Sequence, residues 1–590
     1  MTTNLITYKE MTIKRIFPGC LLALAALAAN AQTGPQTLSI DLSKTYQTME
    51  GFGASDAWTT EYVGTKFETQ SQENAVKWLF GRGFNSIGNP TGIGLSIWRV
   101  NVGAGSASQG DASGIEDETR RAACFLQADG TYDWTQAPGQ QWFMQQALGQ
   151  GVESIVLFSN SPPIYYTKNG KAVANQGEPQ TNLKADCYDD FARFLATVAL
   201  HFEEGGFPVS YVSPLNEPST DWTGGQEGSP WQNANIAQLA KELDKAFSEQ
   251  GVGAKVLLTE SDSWDKLTGG TGRARNQLPY FYGNQLSSGY LGNLQNVAKS
   301  IAAHSYWTFS TNDIIRSTRE KARDMATKYG LGLQQTEWSM LDAAPSTDTG
   351  FPASYDEATY MDIALFMAKL IQCDLRFADV TSWCYWTAMS TEVYGQKNRF
   401  HLLRLNPVGG DYAPLSGGGT VNQTKNLWAL GNFSRFVRPG YQRVELTGAD
   451  EMNGLLGTAF KSPAGDEVVV VVVNTGTDAR SIDLDLADEN LAIKSPVMYR
   501  TNDRSNLSHT DLQPGETYDI PARSVVTFVL KTDVTNGIES VGTEERSTGR
   551  LMGGNAVYTI DGKRLDVTAD DLHCLPKGVY IVGGKKHINP

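Results

Sequence analysis

The sequence predicts an α/β protein: a (β/α)8 TIM barrel with an appended β-sandwich and a small C-terminal β unit. Three observations carry that prediction. Between Met49 and Gly440 a short apolar run followed by an amphipathic helical pattern recurs eight times, the count and size of a closed barrel. Nearly every run ends in polar or aromatic residues, as expected if all the strand ends share one mouth, and a doubly wound open sheet would not explain this. Beyond Gly440 the apolar period changes to two, the mark of half-buried strands.

The elements follow in order. Thr37 to Leu42 alternates apolar and polar residues and is expected to leave the main domain and pair elsewhere. Met49 to Ala54 is a short strand running into a loop tipped by Asp56 and Trp58, followed by a helix over Gln72 to Phe80. Leu95 to Val102 is the next strand, and Arg99 inside that apolar run requires a buried carboxylate partner. Gly103 to Asp133 reads as a long site-shaping loop. The next two pairs are helix Pro138 to Leu148 with strand Ser154 to Phe158, which ends at Asn160, and helix Leu183 to Phe202 with strand Val209 to Val212, which ends at Asn216 and Glu217. Helix Ala234 to Ser248, strand Lys255 to Leu258, strand Ser300 to Ala303 with His304 and Tyr306 at its end, and helix Asp313 to Tyr329 continue the series. Strand Gly332 to Gln335 ends at Glu337, helix Tyr355 to Leu370 follows, strand Val380 to Cys384 ends at Trp386, and helix Asn422 to Phe436 closes the barrel.

The boundaries read as a signal peptide over 1–31, an N-terminal strand over 32–48 joining the sandwich, the barrel over 49–440 and the sandwich over 441–532. A linker over 533–555 leads to a final β unit over 556–590. The signal rests on Lys14 and Arg15, the apolar run Ile16 to Ala29 and the small-x-small site Ala29-Asn30-Ala31. Met11 is an alternative start. The apolar run is too short to span a bilayer, so export to the periplasm, the outer surface or the medium of a Gram-negative bacterium is expected. A net charge of -15 and a pI of 5.0 argue against polyanionic nucleic acid as a partner. Six histidines without a helical ligand pair, and cysteines without paired spacing, indicate neither metal nor cofactor nor disulfide framework. A monomer is expected.

Two glutamates carry the chemistry. Glu217 and Glu337 stand at the ends of the fourth and seventh strands, across the mouth from each other. Cleavage of a glycosidic bond with retention needs two carboxyl groups about 5 Å apart, one acid/base and one nucleophile. The chain offers that pair, and a β-linked oligo- or polysaccharide is the expected partner. Asp56, Arg99, Asn160, Asn216, His304 and Tyr306 converge on the same mouth as expected substrate contacts. Trp58, Trp222 and Trp386 are expected to offer ring faces to pyranose C–H groups. Glu227 and Glu260 read as loop charges slightly ahead of substrate contacts.

The motifs Leu215-Asn216-Glu217-Pro218, Gln335-Thr336-Glu337-Trp338, His304-Ser305-Tyr306, Gly51-Phe52-Gly53 and Leu427 to Gly440 together resemble glycoside hydrolase family 30. The resemblance spans about Leu38 to Leu530. It implies Glu217 as acid/base and Glu337 as nucleophile, with Arg99 and Tyr306 hydrogen-bonded to the nucleophile. The charge of Glu337 is then expected to raise the pKa of Glu217. The segments Phe158 to Ile164, Asp221-Trp222 and Gln226 to Pro230 look most like the branch acting on β-1,6-galactan. β-1,6-Glucanase, xylanase and glucosylceramidase activity, or a silent glycan-binding protein, are the alternatives. The final unit, with Tyr558 to Lys563 and Leu575 to Tyr580, resembles a C-terminal sorting tail of secreted bacterial proteins.

Overall fold

The computed structural model describes residues 34–533 and, within 556–589, four further strands. The signal-like segment, the linker and Asp561-Gly562, where the sequence predicts a hairpin turn in the final unit, lie outside the described residues. Eight parallel strands close into a barrel in chain order: β2 (Gly51–Ser55), β3 (Ile97–Asn101), β4 (Ser154–Phe158), β5 (Val209–Ser213), β6 (Lys255–Ser261), β7 (Val297–Ala303), β8 (Gly332–Gln335) and β9 (Val380–Tyr385). β2 closes the circle by pairing with β9, Phe52 opposite Trp383.

Strand alternation sorts the side chains. In β3, Ile97 packs inside the barrel with Val156 and Cys384, while Trp98 and Val100 join the outer core under the helices. Arg99 therefore points inward with Ile97. Gly53 leaves room for this interior, since a Cβ there would sit 2.8 Å from the Ile97 side chain and 2.9 Å from Cys384 Sγ. Below the mouth, Glu50 accepts from Tyr211 and Thr381 hydroxyls, both at 2.8 Å.

Three helices start later than the sequence expectation. The one before β5 runs Tyr188–Glu204 instead of starting at Leu183, which is taken by a bridge to Thr167. The helix after β8 runs Tyr360–Phe377 instead of starting at Tyr355, because Thr359 and Asp362 form a capping box. The closing helix runs Lys425–Ser434 with Thr424 as its N-cap, since Gly419–Gln423 is taken by a strand. That strand belongs to a three-stranded sheet with Met389–Ser390 and Leu403–Pro407 beside the barrel mouth.

The β-sandwich is one nine-stranded sheet folded over its own core. β1 (Gln36–Thr48) belongs to it, antiparallel to Gln442–Thr447 and parallel to Arg480–Leu486. In the strand Glu467–Asn474, Val468, Val470 and Val472 face the sandwich core while Val469, Val471 and Val473 face the barrel. This unbroken valine run reflects a strand buried on both sides. Gln372 donates to the Val471 carbonyl at 2.8 Å, fastening helix Tyr360–Phe377 to the sheet. The residues beyond 534 form a separate unit with a four-stranded antiparallel sheet of Ala556–Thr559, Arg564–Thr568, Gly578–Val582 and Lys585–Asn589.

Candidate active site

Glu217 follows β5 and Glu337 follows β8, and each offers a carboxylate oxygen within 4.8 Å of the other. Glu217 holds a left-handed backbone, φ +42°. Its amide donates to the Glu260 carbonyl at 2.8 Å, and its carbonyl accepts from the Trp222 indole at 3.1 Å. A non-glycine residue at positive φ is strained and persists only where its surroundings hold it. Here the peptides on either side of Glu217 are both tied, and Pro218 fixes the next φ.

Glu337 is held from two directions. Arg99 Nη1 donates to Oε2 at 2.8 Å and the Tyr306 hydroxyl to Oε1 at 3.3 Å. Arg99 is fully buried and lies 3.7 Å over the Phe158 ring. Its Nη2 donates to Asn216 Oδ1 at 3.2 Å and stands 3.5 Å from Glu260 Oε2. The guanidinium thus aligns the residue before Glu217 with Glu337, and its charge is matched by carboxylates, as burial requires.

His304 links the other carboxylates. Its Nδ1 donates to Glu217 Oε1 at 3.1 Å and its Nε2 to Glu260 Oε2 at 3.0 Å. Burial alone would lower its pKa, but Glu337, Glu217 and Glu260 outweigh that and push it up to about 10. It is therefore an imidazolium donating through both nitrogens. Glu260 accepts also from Ser213 at 2.5 Å and from Thr336. Burial works against its charge, yet Arg99 and His304 bring its pKa down to about 2.

Glu217 is pushed up to about 7, chiefly by burial; the hydrogen bond and charge of His304 pull it back, and the charges of Glu337 and Asp262 add to the rise. The charge of Glu337 is thus a secondary cause, and loss of hydration the main one. Glu217, His304 and Glu337 are spaced closely enough to surround an ion. Both ring nitrogens of His304 already face carboxylate oxygens, and the two glutamates differ in their surroundings as an acid/base pair does.

The remaining predicted residues divide. Asn216 lies in the constellation through Arg99. Asn160 is buried just beyond the end of β4, and neither its amide nitrogen nor its oxygen has a partner among the described residues. Trp58 and Trp386 meet edge to face, ring centroids 5.3 Å apart, with little surface exposed. They share a cluster with Phe158 and Phe400 on the β2–β9 side of the mouth. Trp222 packs against Gly228, where a Cβ would lie 2.4 Å from the indole. Its ring braces the Glu217 loop. Asp56 departs from its expected role. It is fully buried and takes the Asn101 amide at 2.9 Å and the Gln140 side chain at 2.6 Å. Both oxygens are engaged inside the protein, so Asp56 ties the ends of β2 and β3 together instead of meeting a ligand.

Glu260 and Glu227 are both more than loop charges. Glu260 lies at the end of β6 and neutralises the two buried cations. The segment Thr259-Glu260-Ser261 could have signalled it, since a carboxylate at a barrel strand end beside a buried arginine needs a partner. Glu227, also fully buried, accepts from the amides of Ala104 at 2.8 Å and Ser106 at 3.0 Å and from the Ser106 hydroxyl at 2.6 Å, clamping the loop after β3.

Residues 35–398 match the model of O-glycosyl hydrolase family 30, and residues 440–528 that of the family 30 β-sandwich domain. An endo-β-1,6-galactanase of Hypocrea rufa is 24% identical over 489 residues, covering 80% of this chain and 87% of the relative. A glucuronoxylanase of Bacillus subtilis is 30% identical over 546 residues, covering 87% and 97%. Among solved structures, a conserved exported protein from Bacteroides fragilis superposes with a TM-score of 0.77 at 30% identity, covering 84% of this chain and all of the other. With a closed barrel carrying paired glutamates, a fused sandwich and matches over both, the chain belongs to glycoside hydrolase family 30 and is a retaining O-glycoside hydrolase.

Proposed function

We propose that the protein hydrolyses β-1,6-linked galactan inside the chain, with Glu337 as nucleophile and Glu217 as acid/base. The observation that carries the mechanism is the pair of glutamates with one carboxylate oxygen of each within 4.8 Å of the other, which fits the close spacing of about 5 Å in retaining enzymes. Glu337 attacks the anomeric carbon from one face while the bond to the leaving oxygen breaks and Glu217 gives that oxygen its proton. Water then gives a proton to Glu217 and attacks the anomeric carbon, releasing Glu337. Arg99 and Tyr306 orient the attacking carboxylate and would take up its changing charge without reorganisation. A Glu217 pKa near 7 suits both halves of the cycle, since it must lose and regain a proton.

Asn216, Tyr306 and Asn160 are the proposed contacts of the sugar at the point of cleavage, with Trp58 and Trp386 as its aromatic wall, while Arg99 and His304, wholly buried behind them, hold the carboxylates in place. The substrate assignment is supported by the galactanase relative spanning 80% of the chain and by the loops after β4 and β5. Export is supported by the leader-like sequence and by likeness to an exported protein. We infer an exported monomer of a Gram-negative bacterium, in the periplasm, on the outer surface or in the medium.

Purified protein offered β-1,6-galactan, β-1,6-glucan and glucuronoxylan in parallel tests this. The expected result is short galacto-oligosaccharides released early with the β-anomer formed first. Turnover of glucuronoxylan or β-1,6-glucan without galactan would overturn the substrate, and an α-anomer formed first the mechanism.

A further inference from the structure

Trp307 is the one exposed tryptophan among the described residues, with 63% of its surface open. It stands between the buried Tyr306 and Thr308, directly after the β7 end that delivers His304 and Tyr306 to the two glutamates. Its backbone is left-handed, φ +59°, a conformation costly for a bulky residue. The Trp307 amide donates to Asp342 Oδ2 at 2.8 Å, which fixes it from the loop after β8. A large apolar ring presented to water in a strained backbone at a catalytic mouth is one of the few features for which a bound partner is the natural account.

Its place around the barrel says which part of the substrate would meet it. The strands run β5, β6, β7, β8 in neighbouring order, carrying Glu217, Glu260, Trp307 and Glu337 in turn at their ends. Ser219, in the Glu217 loop, donates to Asp262 after β6 at 2.7 Å. Asp262 follows β6, the strand between those that carry Glu217 and Trp307. Trp58 and Trp386 occupy the β2 and β9 ends on the opposite side. An acid that protonates the leaving oxygen lies beside the departing sugar, so the β5–β7 side receives the leaving group. We propose that Trp307 is the platform on which the leaving-group sugar stacks. The axial O4 of a galactopyranose leaves one ring face with an uninterrupted row of C–H groups, the surface an indole takes up.

This proposal rests on Glu217 being the acid/base, and its test separates the two. The Trp307→Ala and Trp307→Phe variants are assayed on a β-1,6-galactotetraose and on β-1,6-galactobiosyl fluoride, whose leaving group has no ring to stack. In Trp307→Ala the ratio of kcat/KM for the tetraose to that for the fluoride is expected to fall about tenfold, and Trp307→Phe to recover most of it. Transglycosylation onto added galactobiose, which must occupy the same place, is expected to fall with it. An unchanged ratio, or equal loss on both substrates, overturns the platform. If the wild-type protein acts on another β-linked glycan, the substrate reading has failed, and the same pair built from that glycan still decides the role of Trp307.

Discussion

Glu260 takes the Nε2–H of His304 at 3.0 Å with both side chains wholly buried. The pair explains how an imidazolium survives in the barrel: with Arg99 beside it, two cations share one carboxylate that touches no solvent. Glu260→Gln keeps the shape and removes the charge. Breaking a buried ion pair from one side costs about 3 kcal/mol or more, so the variant is expected to unfold at clearly lower denaturant concentration. His304 should also lose its proton at lower pH, which its ring resonances in an NMR titration would report. Wild-type stability in Glu260→Gln would refute the coupling.

Stability should peak in mildly acid solution. Glu260, brought from 4.5 to about 2, contributes stability that is present above pH 4.5 and lost as pH falls toward 2. His304, raised from 6.5 to about 10, contributes stability that is complete below pH 6.5 and lost as pH rises toward 10. Asp56, Glu217 and Glu227, each raised to about 7 mainly by burial, bind protons more tightly folded than unfolded, so they too favour the acid side of neutrality. Melting midpoints scanned across pH are expected to be highest near about pH 4.5 and to fall toward pH 2 as Glu260 is protonated. They should also fall as pH rises, first through about 4.5 to 7 where the three raised carboxyls ionise and then toward 10 as His304 loses its proton. A maximum at pH 8 or above would contradict these assignments.

Glu217 must be protonated to start the reaction, and its pKa near 7 places the alkaline limb of kcat/KM close to neutrality. Glu217→Gln is expected to lose roughly a hundredfold to ten-thousandfold in rate on the polysaccharide, but far less on a glycosyl fluoride, whose departure needs little acid. Added azide should accelerate the variant and yield the β-glycosyl azide. Equal losses on both substrates would point to Glu217 as something other than the acid.

The sequence made the barrel, the sandwich and the two glutamates legible because each rests on a local pattern: apolar runs, a period of two, and a carboxylate at a strand end. Arg99 inside an apolar run even announced that a buried anion was needed. What sequence could not supply was the partner list. Glu260 and Asp56 occupy equivalent strand-end positions, yet one joins the charge network while the other turns inward to the Asn101 amide. That outcome depends on the strand stagger and on the position of Gln140 in a later helix, which no local pattern encodes. The starts of the two late helices were misread for a similar reason, since Thr359 and Thr424 become caps only once neighbouring segments fix the chain. Trp307 lies next to Tyr306 in the same strand-end segment, yet the one is exposed and the other buried, a difference that no local pattern encodes.

Asp56 gives a direct measure of that inward role. Asp56→Ala leaves the Asn101 amide and the Gln140 side chain without their acceptor, each at a cost of about 1–3 kcal/mol. Asp56→Asn retains one acceptor and should cost markedly less, most clearly below pH 7, where the wild-type carboxyl is itself protonated. The two variants compared by chemical denaturation, with KM measured alongside, separate a scaffold from a ligand contact. Stability unchanged in both with KM raised would return Asp56 to the substrate.

Arg99→Lys tests whether charge alone suffices at the centre of the site. The guanidinium meets Glu337 at 2.8 Å and Asn216 at 3.2 Å through different nitrogens, while its plane lies over Phe158. An ammonium keeps the charge but not the fork, and it cannot stack. Asn216 would lose its alignment and Glu337 would be held by Tyr306 and one mobile donor. The variant is therefore expected to fold, since the buried carboxylates retain a cation, but to lose about a hundredfold in kcat with KM changed less, because the lost contacts serve the changing charge on Glu337 more than ground-state binding. If Arg99→Lys turned over at the wild-type rate, Arg99 would be a counter-ion only, and the alignment of Asn216 and Glu337 would have to come from the strands themselves.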